Sequence, residues 1–281
     1  MEFIPLVITM RVLTISILLL FSTLLKAQNG VSLFHNARTT ALGNSDITSH
    51  NVLSGSINPA NMIIGHGLFA SLGIQRSFLI ADINQGSLDI GYRMKNDQAI
   101  GLQFYVYGNN IYSETMASLA YAIRIADRTA LGLRMHGLRF SAPENKPEYA
   151  VTFTLGAQTV ISEQFSLGMT TFNPVGFFRK ERPNDLTSNF RIGLAYSPAP
   201  SVSLYTSANL DDAHPLNVAV GIAYSIKKKV NLYLSFMTQP AVIGVGIGVP
   251  FGRGFSIDFA GAQHLQLGLS PALNLNYLEV E

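Results

Sequence analysis

The sequence predicts an all-β fold, a transmembrane antiparallel β-barrel of about 14 strands. Three observations carry this. Large apolar side chains fill every second position in about fourteen segments between Leu68 and Tyr277, the period at which a strand turns its side chains to opposite faces. Only 13% of the chain is charged, against a usual share of about 25%, and the positions between the large residues are mostly Gly, Ala, Ser, Thr and Asn. The connectors alternate between tight and long. A soluble sandwich would carry charge on the face away from its core. A greasy face backed by a small, polar one suits a sheet closed on itself, with lipid outside and a crowded lumen inside.

Residues 1–27 read as a signal peptide. Arg11 gives the positive start, Val12 to Leu25 the apolar run, and Leu25-Lys26-Ala27 a small residue before a cut ahead of Gln28. That run is shorter than the ~20 residues a spanning helix needs. Residues 28–66 read as an N-terminal hatch or plug, and 67–281 as the barrel. With no cysteine, neither a disulfide framework nor a thiolate metal site is available. The net charge of +2 and short basic runs such as Lys227-Lys228-Lys229 exclude a nucleic-acid footprint.

The strands follow in order by their large-residue faces. Leu68, Leu72 and Ile74 mark the first; Leu88, Ile90 and Tyr92 the second; Ile100, Leu102, Phe104 and Val106 the third. Leu119, Tyr121, Ile123 and Ile125 follow, then Leu131, Leu133 and Met135, then Val151, Phe153 and Leu155, then Phe165, Leu167 and Met169. The second half repeats the device with Phe190 to Tyr196, Val202 and Leu204, Val218 to Tyr224, Val230 to Phe236, and Ile243 to Val249. Phe255, Ile257 and Phe259 make the thirteenth strand, and Leu265, Leu267 and Leu269 open the fourteenth. Large residues stay in register from Phe255 to Tyr277, so a turn must be chosen. Gly261-Ala262-Gln263 is the expected turn, with a bulge at Pro271.

Tight joins are expected at Lys95 to Asp97, Ala126-Asp127, Ser197 to Pro200 and Lys227 to Lys229. Long ones are expected at Gln75 to Gly86, Ser141 to Pro147 and Asn173 to Leu186. Outer-membrane barrels have short periplasmic turns and longer outer loops, which puts the N-terminus in the periplasm. Pro143, Pro147, Pro174, Pro183, Pro198, Pro200, Pro215, Pro240 and Pro250 are all expected in connectors, where no ladder donor is lost.

Parity places Asp89, Arg93, Arg124, Arg134, His136, Arg191 and Asp258 on the lumen side, together with many glycines. Such a wall accommodates a plug, an inserted loop or a lipid-like ligand, or simply barrel curvature. The segment before the first strand is rich in Asn, Ser, Thr and Gly and has no strand rhythm. Within it, Ala37-Arg38-Thr39-Thr40-Ala41-Leu42-Gly43-Asn44-Ser45, followed by Ser56-Ile57-Asn58-Pro59-Ala60-Asn61-Met62, resembles the N-terminal signature of the PorV/PorQ-like proteins. These belong to the wider FadL-type outer-membrane family, the long-chain fatty acid transporters. The resemblance implies a fourteen-stranded barrel with a lumenal hatch at Arg38, Gly43, Asn58, Pro59 and Ala60. It also implies uptake of a hydrophobic small-molecule ligand, or a role among the proteins of a type IX secretion system, and no cofactor. Asn44-Ser45 departs from the family's Gly-Ala, the chain is short, and its last residues lack a terminal aromatic.

The six histidines have no metal-ligand spacing, and no catalytic constellation is evident, which argues against an enzyme. Phe177, Phe178 and Arg179 in the longest loop are candidates for contact with membrane lipid or an amphipathic anion at an outer rim. The expected protein is therefore an outer-membrane barrel whose hatch shifts to let a hydrophobic molecule leave sideways or inward.

Overall fold

The computed structural model describes residues 35–143, 146–178, 186–211 and 215–279. The signal-peptide expectation and Arg179 lie outside these residues, as do the side chains of Phe177 and Phe178. Fourteen strands form one closed barrel: β1 Gly67–Arg76, β2 Asn84–Arg93, β3 Gln98–Gly108, β4 Ser113–Ala126, β5 Thr129–Ser141, β6 Glu148–Val160, β7 Phe165–Phe172, β8 Asn189–Ala199, β9 Val202–Asp211, β10 Asn217–Ile226, β11 Val230–Met237, β12 Val242–Phe251, β13 Phe255–His264 and β14 Gly268–Leu278. Each pairs antiparallel with its neighbours in sequence. The seam closes where β1 meets β14, from Phe69 opposite Leu278 to Gln75 opposite Ala272. Closure leaves no unpaired edge, which a hydrocarbon environment demands of every backbone donor and acceptor.

The alternation sorts side chains as the period requires. Leu72, Ile74, Phe104, Val106, Leu119, Met135, Leu234 and Phe259 face outward, each between 45% and 60% exposed. An apolar surface this continuous far exceeds the few hundred Å² a soluble monomer shows, so hydrocarbon covers it. Near the end where β1 begins and β14 finishes, called the terminal end, the belt turns aromatic. Tyr92 and Tyr224 stand there, Phe165 stacks on Tyr196 at 4.5 Å, and Phe255 lies 4.9 Å from Tyr277 and 5.9 Å from Phe251. Such amphipathic and aromatic rings settle at the boundary between hydrocarbon and water.

Joins at the terminal end are short: 94–97, 127–128, 161–164, 200–201, 227–229 and 252–254. Those at the far end include 77–83, 142–147 and the widest, 173–188. Three expectations need correction. Gly261, Ala262 and Gln263 lie within β13, and the last turn falls later, at 265–267. The His264 ring accepts from the backbone N–H groups of Gln266 and Leu267 at 3.1 Å each, and so shapes that turn itself. Leu265 and Leu267 keep the odd-numbered parity only because they project from the rim. Pro271 stands opposite Gly261 with no shift of register; β1 pairing already stops at Ala272, and no bulge forms. Pro198 and Pro250 lie inside strand ends rather than connectors. Pro198 sits where the β8–β9 register slips between Tyr196 and Ala199, a place where a missing donor is tolerated.

Candidate functional site in the lumen

Residues 35–66 lie inside the barrel. They fold as three short turns, each begun by an asparagine whose side-chain oxygen accepts from a backbone N–H, the usual role of a polar N-cap. Asn36 caps the helix α1, Ala37–Ala41, through Thr39 N at 2.8 Å. Asn51 caps the 3₁₀ turn Val52–Ser56 through Leu53 N at 2.9 Å. Asn58 caps the 3₁₀ turn Pro59–Ile63 through Ala60 N at 3.1 Å, with Pro59 in the first position, where its missing donor costs nothing. The asparagines also hold the segment together. Asn36 Nδ2 donates to Leu53 O and Ser56 Oγ, and Asn58 and Asn61 both donate to Ile47 O.

The wall receives this segment through its small residues. A Cβ on Gly132 would stand 2.5 Å from the Pro59 carbonyl carbon, and one on Gly246 2.6 Å from Ala41 Cβ. Both are closer than packing allows, so glycine is needed for the approach. Polar contacts then fix it. Asn58 Nδ2 reaches Ala157 O on β6 at 3.1 Å. Ala37 N donates to Asn274 Oδ1 at 2.6 Å, Asn274 Nδ2 donates to Ser71 Oγ, and Ser71 Oγ to Asn276 Oδ1.

Arg38 is 5% exposed and pairs with the fully buried Asp46 at 2.6 Å. Its other terminal nitrogen donates to Tyr205 OH at 3.2 Å, and its guanidinium lies within 5.8 Å of the Tyr205 and Tyr233 ring centres. A buried charge persists only when paired and hydrogen-bonded in this way. Gly43, at φ +62°, ends the helical turn against Ser235 and Met237.

The remaining candidates divide by depth. Arg134 donates to Ser56 O at 2.6 Å and Gly55 O at 2.5 Å. Gln103 links it to Asp89, donating to that carboxylate at 2.8 Å. His136 sits between Ser118 Oγ and Thr154 Oγ1, both at 2.8 Å, with Phe172 edge-on. Asp258 accepts from Tyr233 OH and Asn276 Nδ2. Arg191 donates to Asn209 Oδ1 at 3.2 Å. Arg93 and Arg124 stand instead at the terminal rim. Both bond Asp97 in the β2–β3 turn, at 2.6 Å and 3.1 Å, and Arg93 also bonds Gly65 O. These two arginines hold the Asp97 carboxyl below its usual range. Burial, with the charges of Arg191 and Arg134, pushes His35 down to about 3, so it is neutral where it docks. Phe177 and Phe178 belong to the 3₁₀ turn Pro174–Phe178 in the far-end connector.

Charge-based reading missed the uncharged gripping residues Asn36, Asn61, Ser71, Asn274 and Asn276, all nearly or fully buried. Asparagine at alternate positions on β14, facing inward, was the available signal.

The leader occupies the middle of the lumen and leaves chambers on either side. One of about 340 Å³ lies toward the far end, lined in part by His35, Arg134, Thr170, Phe172, Arg191 and Asn209. A neighbour of about 350 Å³ shares Met237 and Pro240 with it. A smaller one of about 180 Å³ lies toward the terminal end, beside Arg38, Tyr205 and Tyr233.

The fold is similar to that of FadL-type barrels of solved structure. A Pseudomonas aeruginosa FadL homologue aligns with a TM-score of 0.63 at 11% identity, covering 86% of this chain and 98% of that one. The Pseudomonas putida toluene transporter TodX gives 0.67 at 11% identity over 88% and 99%. The Ralstonia pickettii toluene transporter TbuX gives 0.61 at 10% identity over 86% and 96%. No protein-family model and no curated relative matches the sequence.

Proposed function

We propose that this protein is an outer-membrane barrel of PorV/PorQ-like type that passes hydrophobic small molecules passively through a lumen gated by residues 35–66. The observation that carries the proposal is the leader's position, packed on glycines of the wall with chambers to either side. Movement of that one segment joins them. The short joins at the terminal end support a periplasmic N-terminus. No energy source is needed, because moving apolar surface out of water is worth ~0.8 kcal/mol per CH₂. The motif Asn58-Pro59-Ala60 also occurs with the secretion role, but the chambers are what transport needs and a scaffold does not.

The chain has no native cysteine, which makes tethering a clean test. Ile47 Cβ lies 3.1 Å from where a Cβ on Gly193 would stand, close to the roughly 3.5–4.5 Å of a disulfide. In an Ile47→Cys, Gly193→Cys variant, oxidation is expected to reduce uptake of a labelled hydrocarbon by cells to background, and reduction to restore it. Equal uptake in both states overturns the gating. Retention of secreted proteins on loss of the gene, with uptake unchanged, favours the scaffold.

A further inference from the structure

We infer that the outer wall carries a site for one anionic phospholipid, an acyl chain lying in a dent across β3–β6 and the phosphate on Arg139. The site is independent of the uptake reading and needs only the hydrocarbon cover already described. Rows of directly opposed, outward-facing residues cross these strands. Leu119 and Met135 fill the deepest of three such rows. The next reads Phe104, Ala117, Gly137 and Val151, and side-chain volume all but vanishes at its two central positions. A Cβ on Gly137 would meet only Ala117 O, at 3.9 Å. The row nearest the far end holds Thr115, Arg139 and Tyr149 and turns polar. Between them lies an apolar dent of about 340 Å³, open toward the membrane. Phe104 and Val151 form its sides, and Val151 stands 79% exposed.

The chemistry at the open end of the dent names its occupant. Arg139 lies on the outward face of β5, partly buried and two residues beyond Gly137, about 7 Å along a strand. Among the described residues its guanidinium makes one hydrogen bond, a long one to Ser141 Oγ at 3.4 Å, and no ion pair. A cation on the lipid face is tolerated only near the boundary with water, and there it meets the headgroup layer, whose anions are phosphates. A guanidinium holds such oxygens by charge-assisted hydrogen bonds. Lipid tails are as apolar as leucine, so burial alone retains nothing within a bilayer. A tail is held instead by dispersion contact with walls on both sides. The dent supplies those walls, and the charge above it selects the lipid. Its floor, Ala117 and Gly137, is two strands set about 5 Å apart, too narrow for the ~10 Å diameter of a partner helix.

The test titrates the purified full chain in detergent with dioleoyl phosphatidylglycerol, dioleoyl phosphatidylcholine and glycerol 3-phosphate, read by native mass spectrometry. One phosphatidylglycerol is expected to bind about fivefold more tightly than phosphatidylcholine, whose choline neutralises the phosphate. Glycerol 3-phosphate, a headgroup without tails, should not bind. Arg139→Gln should bring phosphatidylglycerol down to the phosphatidylcholine level, and Arg139→Lys should keep most of the preference. Gly137→Leu should weaken both lipids by about fivefold with the melting temperature unchanged. Ala117→Leu fills the same dent from β4 and stands in should Gly137→Leu fail to fold. Equal affinity of the wild type for the two lipids overturns the inference, as does undiminished phosphatidylglycerol binding by Arg139→Gln or by the folded dent-filling variant. Glycerol 3-phosphate binding as tightly as phosphatidylglycerol would mark a site for free anions, and overturns it too.

Discussion

One row of directly opposed residues crosses the inner wall as Asn209, Arg191, Thr170, Gly156, Gly132 and Ala122. Its two halves do different work. At Gly156 and Gly132 the wall has no side chains, and the leader's Asn58-Pro59-Ala60 turn rests against the backbone. At Thr170 and Arg191 the side chains reach inward and a chamber remains. Strand pairing is continuous across both halves. Inward side-chain volume alone therefore decides where the lumen is filled and where it stays open. Buried polar atoms without a partner occur in both halves, Asn61 Oδ1 and Gln158 Oε1 beside the packed turn and Thr170 Oγ1 beside the chamber, so side-chain volume rather than hydrogen-bond matching separates the two.

The largest expected effect comes from the filled half's own anchor. Asp46→Asn leaves Arg38 buried beside two tyrosines without its charge partner, a loss of about 3–5 kcal/mol in leader docking. Limited proteolysis should then cut within residues 35–66 where the wild type resists. Replacing both partners, as Arg38→Met with Asp46→Leu, should recover most of the resistance. Next in size is a direct exchange between the halves. Gly156→Val puts a side chain where Asn58 and Pro59 sit and should cost about 1–3 kcal/mol by overpacking. Gly137→Val, on the outward face with only Ala117 O near at 3.9 Å, should change neither melting temperature nor proteolysis. Equal effects at Gly156 and Gly137 would break the comparison.

The smallest effect is one of pH. His35 has its ordinary value of 6.5 when the leader is free and a value of about 3 when docked. Below about pH 6.5 the free leader binds more protons than the docked one, so docking is complete above that pH and weakens as pH falls toward 3. The slope is at most about 1.4 kcal/mol per pH unit. The protection factors of the leader amides, with the intrinsic pH dependence of exchange divided out, should fall between pH 7 and 5.5, and His35→Phe should flatten that response.

Strand number and closure were legible because the two-residue period survives wherever hydrocarbon covers one face. The last turn was not, because Leu265 and Leu267 keep the same parity while leaving the ladder, and the His264 ring supplies a turn without glycine or proline at its centre. In the lumen, inward charges could be found by counting alternate positions. Their depth could not: Arg93 and Arg134 both fall on the inward face of their strands, yet one ties down the rim and the other grips the leader. The far-end chamber was illegible for a different reason. It is bounded by the leader, seven separate strands and the 173–188 and 238–241 joins, and a void has no residues of its own to announce it.

The seam between β1 and β14 has a consequence for how the molecule is made. Ser71 and Asn274 zip the first strand to the last, and the same Asn274 accepts from Ala37. The cylinder can shut only after synthesis reaches its final strand, and the bond from Ala37 to Asn274 cannot form before then, so the stitch that seals the wall is also the one that secures its cargo of chain.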